Sequence, residues 1–276
     1  MTGNADQIQY WNIQGRKWAA MQERIDLTMN EITDAVLPFA NAKPGERIID
    51  IGCGCGTTTL RLAMIAGREG SVAGVDVSVP MLAVAEARAQ ASQAEIAFVE
   101  ADASTYEFQP NADLVFSRFG VMFFADPYAA FKNIRTALSR TGRIAFVCWR
   151  TFPENIWASA PFFAARDLLP ETPPADPYAP GPFALGDGVR TKDILEKAGF
   201  NNVRLEKLDC TMNMGADLDA ASSQALEIGP LARAATELNE AQREQLKARA
   251  AQALSKYVTA SGVRPPAACW LVGGTA

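Results

Sequence analysis

The chain has 276 residues, 49% of them hydrophobic, enough for one large domain or for one domain with a modest cap. It carries 31 acidic and 26 basic residues, a net charge of -5 and a pI near 5.0, which is the wrong sign for binding a phosphate backbone and argues against nucleic acid as a partner. The amino terminus lacks the basic start and apolar run of a signal peptide, and no later window holds about 18 uninterrupted apolar residues, so a soluble, cytoplasmic protein with no membrane partner is expected.

In chain order, Trp18, Met21, Gln22, Ile25, Met29, Ile32 and Val36 recur at three- and four-residue spacing. This spacing predicts one long amphipathic helix that lays a face over the ligand end of the fold. Apolar runs rich in Val, Ile and Phe then alternate with segments of helical period, the pattern of a parallel sheet with crossover helices. Strands are expected at Arg47 to Ile51, Val72 to Val77, Ile96 to Asp102, Ala112 to Arg118 and Gly142 to Trp149. Ser78 with Pro80, and Asp126 with Pro127, read as helix starts, a capping residue followed by a proline in the first turn. From Thr151 to Arg190 the texture changes, because eight of the sixteen prolines fall there, including PETPPADPYAPGPF. That density is too great for a continuous helix or a central strand, yet Trp157, Phe162, Phe163 and Phe183 are unusual in a solvated linker, so a packed lid is expected. A helix over Thr191 to Lys197, a strand over Val203 to Met212, Ala- and Leu-rich helices to about Tyr257 and a last strand over Ala267 to Val272 complete the α/β alternation. The domain reading is a helical cap at 1–40, a ligand-binding core at 41–150, a lid insertion at 151–190, and a carboxyl-terminal part of the sheet with a helical insertion at 191–276.

Cysteine usage adds little chemistry. Cys53 and Cys55 sit in a tight glycine loop, while Cys148, Cys210 and Cys269 lie in apolar runs, so all five read as reduced, buried thiols. With no CxxC pair and no histidine anywhere, no metal site is expected.

The chemically informative stretch is RIIDIGCGCGTTTL, an apolar strand that runs into glycines and then a helix, so that bare backbone approaches a ligand. A phosphate-binding P-loop requires lysine after the last glycine, where Gly56 is followed by three threonines. A dinucleotide GxGxxG requires glycine where Thr57 stands, and the Asp50 carboxylate repels a pyrophosphate. The same carboxylate suits a ligand without phosphate that bears an ammonium and a sulfonium, a description of S-adenosylmethionine.

The run Asp50-Ile-Gly52-Cys-Gly54-Cys-Gly56 resembles motif I of the class I S-adenosylmethionine-dependent methyltransferases, and YWNIQGRKW, CWR and PGPF resemble a bacterial small-molecule subgroup. The resemblance covers most of the chain and weakens after about Met212. It implies a doubly wound, seven-stranded, mostly parallel sheet of Rossmann-like type, last strand antiparallel, with an N-terminal helical cap and a lid insertion. It also implies that Asp76 in GVDVS binds ribose hydroxyls with Val77 beside the adenine, and that Asp102 in EADAS accepts from the adenine amino group with Ala103 as a backbone donor. Ser117, Arg118 and Phe119 then stand near the methionine moiety, and Trp18, Cys53, Thr57 and Met81 complete the cofactor set.

Methyl transfer from a sulfonium requires chiefly that a nucleophile be aligned at about 3 to 3.5 Å for in-line displacement, with water excluded. Tyr10, Trp11, Met122, Trp149, Trp157 and Phe183 are the candidate acceptor wall, with Phe119 shared between the two ligands. The absence of histidine removes imidazole as a general base, and none of Asp126, Glu154 and Tyr10 stands out, so no catalytic residue is assigned. The expected function is methyl transfer to a small-molecule N, O, S or C nucleophile, in a chain that the sequence permits to dimerise. An NAD-type oxidoreductase and a non-catalytic S-adenosylmethionine-binding protein remain the alternatives.

Overall fold

The computed structural model describes residues 4–170, 176–236 and 238–276. Three helices open the chain, α1 (Ala5–Ala20), α2 (Gln22–Thr28) and α3 (Asn30–Ala40). The single helix expected from periodicity is therefore broken at Met21 and Met29. At the first break the Met21 N–H is shared between the Lys17 and Trp18 carbonyls, a tightened last turn. The two bends let α1 lie along α5 while α3 packs on the opposite half of the sheet, which one straight helix does not reach.

Next come β1 (Arg47–Ile51), α4 (Thr57–Ala66), β2 (Ser71–Asp76), α5 (Val79–Ala91), β3 (Ile96–Glu100), β4 (Ala112–Arg118), α6 (Pro127–Arg135) and β5 (Leu138–Trp149). They are followed by α7 (Ile156–Ala164), α8 (Gly188–Lys197), β6 (Asn201–Thr211), α9 (Leu218–Ala225), α10 (Pro230–Ala234), α11 (Glu240–Leu254), β7 (Val258–Thr259), β8 (Gly262–Val263) and β9 (Pro266–Thr275). Seven strands form one sheet in the order β3-β2-β1-β4-β5-β9-β6, with β9 antiparallel to both of its neighbours and the other paired strands parallel. Consecutive buried residues in β4, Leu114, Val115, Phe116 and Ser117, show that both faces of the sheet are covered, as a parallel sheet requires.

Several strand limits differ from the sequence reading. β5 begins four residues before Gly142, with an irregular register against β4. β3 ends at Glu100, so Asp102 lies in the loop beyond it. Helix α7 spans Pro161 within the segment read as too rich in proline for a helix, and residues 171–175 of that segment lie outside the described residues. The short β7–β8 pair was not foreseen.

Phe116, Phe131, Phe146, Ile32, Ile48, Leu62 and Leu114 are fully buried between the layers. At about 1.5 to 3 kcal/mol for each large apolar side chain, this core holds the carboxyl ends of the strands in place. The strand order reverses between β1 and β4, since the chain runs outward from β1 through β2 to β3 before returning to β4. The crevice at such a reversal is where open α/β sheets bind ligands.

Candidate functional site

A cavity of about 1430 Å³ opens at this crevice. The loop from β1 to α4 forms one wall, with Gly52, Gly54 and Gly56 at φ +67°, +54° and +80°, in the left-handed region that glycine tolerates best. The three glycines do different work. A Cβ on Gly52 would come within 2.5 Å of Gly120 Cα, and one on Gly56 within 3.0 Å of Ala85 Cβ, so both are explained by close packing within the protein. A Cβ on Gly54 would meet only Met81 Sδ at 3.8 Å, and Gly54 lines the cavity.

Asp50 is fully buried and does not line the cavity. Its Oδ2 accepts from the hydroxyls of Thr58 and Thr59, both at 2.7 Å, which ties the end of β1 to the first turn of α4. Its Oδ1 has no hydrogen-bond partner. Burial pushes this carboxyl up to about 6, against the donors Thr58 and Thr59 and the nearby Arg118 cation. Direct ligand contact, as expected from sequence, is thus replaced by a charge held behind the wall.

Asp76 ends β2, lines the cavity and is 7% exposed. Its Oδ2 accepts from the Gly54 N–H at 2.8 Å and its Oδ1 from the Ser78 N–H at 2.9 Å. Burial raises its pKa despite these backbone donors. Each oxygen keeps lone-pair capacity for a further donor. Val77 is beside it in the cavity wall, and its carbonyl accepts from Asn12 Nδ2 at 3.0 Å. Ser78 does not cap α5 with its side chain; its hydroxyl donates instead to the Trp11 carbonyl at 3.0 Å, because α1 crosses directly over this helix start. Asp102 also lines the cavity, with Oδ1 accepting from Asn4 Nδ2 at 2.8 Å and from the Ser104 N–H at 2.9 Å. Ala103 lines the wall and its carbonyl accepts from Asn133 Nδ2 at 2.9 Å.

Ser117, expected near the ligand, is buried behind the wall: its hydroxyl donates to the Ile51 carbonyl at 2.7 Å and accepts from the Gly120 N–H at 3.1 Å. It ties β4 to the end of β1. Arg118 does line the cavity, but Nη1 donates to Thr33 Oγ1 at 2.7 Å and Nη2 lies 3.7 Å from Asp26 Oδ1. Burial lowers its pKa while Asp26 and Asp50 oppose that shift. Asp26, which sequence reasoning missed, organises this end of the site. It accepts from Thr57 Oγ1 at 2.7 Å and from Gln22, and lies 3.3 Å from Arg88, which itself donates to the Cys55 carbonyl at 2.7 Å. The network fixes the glycine loop against α2. An acid and an arginine 62 positions apart show no local pattern, so only the fold brings them together.

Cys53 and Cys55 line the wall, and burial raises both thiols, Cys55 to about 11, so neither is a ready nucleophile. All five cysteines are free.

The remaining cavity surface is aromatic. Phe119 stacks on Trp149 with centroids 4.2 Å apart, and Trp149 packs on Trp157 at 5.0 Å. Across the space, Trp11 contacts Tyr10, Trp18 and Phe123 edge-on at 5.4, 5.7 and 4.9 Å. Phe183 joins Phe152 at 5.3 Å, and Gly181 N–H donates to the Met122 carbonyl at 3.1 Å, which seats the proline-rich segment against the site. Every aromatic in the predicted cofactor and acceptor sets lines the cavity, as do Met81 and Met122, whereas Phe163 of the proline-rich segment is exposed outside it. Of the predicted site residues, Asp50, Gly56 and Ser117 are outside it. A further wall, from Leu226 to Arg233 with Arg243, had no counterpart in the sequence reading because Ala-rich helical texture carries no positional signal.

Fold and site together define a ligand-binding protein of the doubly wound α/β class. A family model described as a methyltransferase domain matches residues 48–142. The demethylmenaquinone methyltransferase of Thermus thermophilus is 33% identical over 189 residues, covering 62% of this chain and 80% of that protein. The 2-phytyl-1,4-naphtoquinone methyltransferase of Trichormus variabilis is 32% identical over 117 residues, 41% of this chain and 51% of that one. The chain spans about half the length of several curated relatives that it matches. The YcgJ protein of Bacillus subtilis has the same fold, with a TM-score of 0.58 at 16% identity over 88% of this chain and 97% of that one. The chain belongs to the class I S-adenosylmethionine-dependent methyltransferase family.

Proposed function

We propose that the chain transfers the methyl group of S-adenosylmethionine to a small, largely aromatic acceptor. The observation that carries this reading is the continuity of one cavity, which has Gly54, Asp76 and Asp102 at one end and stacked aromatics at the other. The residues fit the cofactor. Gly54 leaves room for an amino-acid tail, Asp76 keeps acceptor capacity for ribose hydroxyls beside Val77, and the Oδ2 of Asp102 accepts from none of the described residues. Trp18, Cys53, Thr57, Met81, Ala103, Arg118 and Phe119 complete the enclosure, with Asp50, Gly56 and Ser117 as its support. When bound, the cofactor supplies a methyl group activated by its sulfonium.

The protein's own contribution is positioning and the exclusion of water. Tyr10, Trp11, Met122, Trp149, Trp157 and Phe183 form the acceptor surface, and aromatic faces also favour a nearby cation by about 0.5 to 2 kcal/mol. Three of the cavity's carboxylates are engaged on that side: Glu154 by Arg150 and Thr151, Asp187 by the α8 N-terminus, and Asp176 by the Tyr178 N–H, while Asp6 lies exposed at the start of α1. An acceptor that reacts without a strong base is favoured accordingly, such as a stabilised carbanion, an acidic phenol or an amine. In this reading residues 1–40 are a cap, 151–190 a lid, 41–150 the cofactor-binding core and 191–276 the rest of the sheet with a helical insertion. The names of the relatives, which act on naphthoquinone-type rings, support a flat acceptor. The net charge of -5 supports a small molecule over a nucleic acid, and the five free thiols support a cytoplasmic setting; a homodimer is compatible with both. Among the described residues no helix is long and apolar enough to cross a membrane.

Calorimetry with S-adenosylmethionine, S-adenosylhomocysteine and NAD tests the cofactor. The first two are expected to bind and NAD not to, and the reverse result rejects the proposal. Incubation with methyl-labelled cofactor and a metabolite extract is expected to label a small aromatic product; persistent absence of label favours a non-catalytic binder.

A further inference from the structure

One side of the cavity is cationic in a chain whose net charge is -5. Lys17 of α1, Arg233 of α10 and Arg243 of α11 all line it. Lys17 Nζ donates to the Glu227 carbonyl at 3.0 Å, and Arg243 Nη1 to the Ala235 carbonyl at 2.9 Å, so each is held by a neutral backbone oxygen. Arg233 places its guanidinium carbon 5.9 Å from the ring centroid of Tyr10, on the aromatic wall itself. The carboxylate of Glu227, on the same rim, is taken by Arg24. Asp6 lines the cavity on the same helix as Lys17 but about 16 Å away at 1.5 Å per residue. Lys17 and Arg233 are exposed at the cavity rim and Arg243 is half-buried there; partial desolvation of the Lys17 ammonium lowers its pKa, Glu227 opposes the shift, and Arg243 and Arg24 add to it.

We propose, on the basis of the methyl-transfer reading, that Lys17, Arg233 and Arg243 read a carboxylate on the acceptor, so that the preferred substrates are flat aromatic acids. The planar guanidinium groups match a carboxylate through paired N–H donors, and Tyr10 offers a face for the ring that carries it. The three cations come from elements that meet only in the folded chain. One other carboxylate competes for the same rim, the amino-acid carboxylate of the cofactor, and the test separates the two.

The full chain is saturated with S-adenosylhomocysteine and titrated calorimetrically with 2-naphthoate and with its neutral analogue naphthalene-2-carboxamide. The expected result is tighter binding of 2-naphthoate by at least about tenfold, the scale of one charge-assisted hydrogen-bonding group. In the triple variant Lys17→Met, Arg233→Met, Arg243→Met that preference is expected to vanish, while affinity for S-adenosylhomocysteine stays within about twofold. Equal binding of the two probes, no binding of 2-naphthoate, or a preference that survives in the triple variant overturns the proposal. Loss of S-adenosylhomocysteine affinity in the triple variant, with affinity for 5'-methylthioadenosine retained, also overturns it by assigning the rim to the cofactor. Failure of the wild-type chain to bind either nucleoside rejects the methyl-transfer reading itself.

Discussion

Phe119 lies almost flat on Trp149, with ring centroids 4.2 Å apart and planes 15° from parallel, while its own backbone sits at φ +65°. A bulky residue in the left-handed region costs about 1 to 3 kcal/mol, which the surrounding packing must offset. Gly120 follows directly and packs 2.6 Å, measured from its projected Cβ, from the Ile51 carbonyl, so the turn has no room to relax. Because the strain belongs to the Cβ and the stabilisation to the ring, Phe119→Gly is expected to destabilise the fold less than Phe119→Ala, by about 1 kcal/mol. Urea denaturation of the two variants measures the difference, and the usual order, with alanine the more stable, would refute the assignment.

Gly54 and Gly120 separate ligand space from packing space. Gly54→Val has room for its side chain beyond Met81 and is expected to fold, with about 1 to 2 kcal/mol lost to the positive φ, yet to abolish S-adenosylhomocysteine binding because its bulk enters the cavity. Gly120→Ala drives a Cβ to 2.7 Å from Gly52 Cα and is expected to lower stability by more than the Gly54 variant. Paired thermal melts and calorimetry distinguish the outcomes.

Asp76 serves the backbone as well as a ligand. Asp76→Asn keeps an acceptor and is expected to weaken S-adenosylhomocysteine by about 1 to 3 kcal/mol with a modest change in stability. Asp76→Ala additionally leaves the Gly54 and Ser78 N–H groups without their acceptor and is expected to cost about 1 to 3 kcal/mol of folding stability as well. Wild-type affinity in both variants would place the nucleoside elsewhere.

The buried carboxyl of Asp50 sets a pH dependence whose sign is opposite to that of an ordinary ion-paired acid. Its pKa rises from 3.8 to about 6 on folding. Between those values the folded chain holds a proton that the unfolded chain has released, so stability falls as pH rises through this window and the loss is complete above about 6. The loss amounts to at most about 3 kcal/mol, and the raised pKa of Asp76 adds in the same direction. Asp50→Asn, which keeps an acceptor for Thr58 and Thr59, is expected to gain stability relative to wild type between pH 4.5 and 7.5. A constant difference across that range in urea titrations would show that Asp50 does not titrate there.

Asn12 clasps the start of α5 from above: its amide donates to the Val77 carbonyl at 3.0 Å and its oxygen accepts from the Val79 N–H at 3.2 Å. Removing the clasp in Asn12→Ala is expected to loosen α1 by about 1 to 2 kcal/mol, and thereby to raise the S-adenosylhomocysteine dissociation rate by about 5- to 30-fold with little change in association. Stopped-flow kinetics measures both rates, and unchanged dissociation would remove α1 from the cofactor enclosure.

Local rules were enough to read the seven strands, the glycine loop after Asp50 and the acids at Asp76 and Asp102, because a period of two, a period of 3.6 and a need for positive φ each leave a mark on neighbouring residues. The same rules misjudged residues whose partners are distant. Ser78 looks like a helix cap until α1 crosses it and Trp11 offers a carbonyl. The family resemblance, not a local rule, put Ser117 beside the ligand, but β4 lies next to β1 and its hydroxyl finds Ile51 instead. Asp26 has no motif at all, yet it holds Thr57, Arg88 and Arg118 around one end of the cavity.

What the amino-acid order determined alone was therefore the individual strands and the bare backbone loop, since both leave their mark within a few residues, whereas the pairing of the strands joins positions as distant as Asn201 and Thr275. Tertiary structure decided which faces share the cavity: Lys17 meets the Glu227 carbonyl across 210 positions, and Gln224 meets Thr28 across 196. Those contacts form only when packed helices close around a common core, so their geometry is a property of the whole chain and of no segment in it.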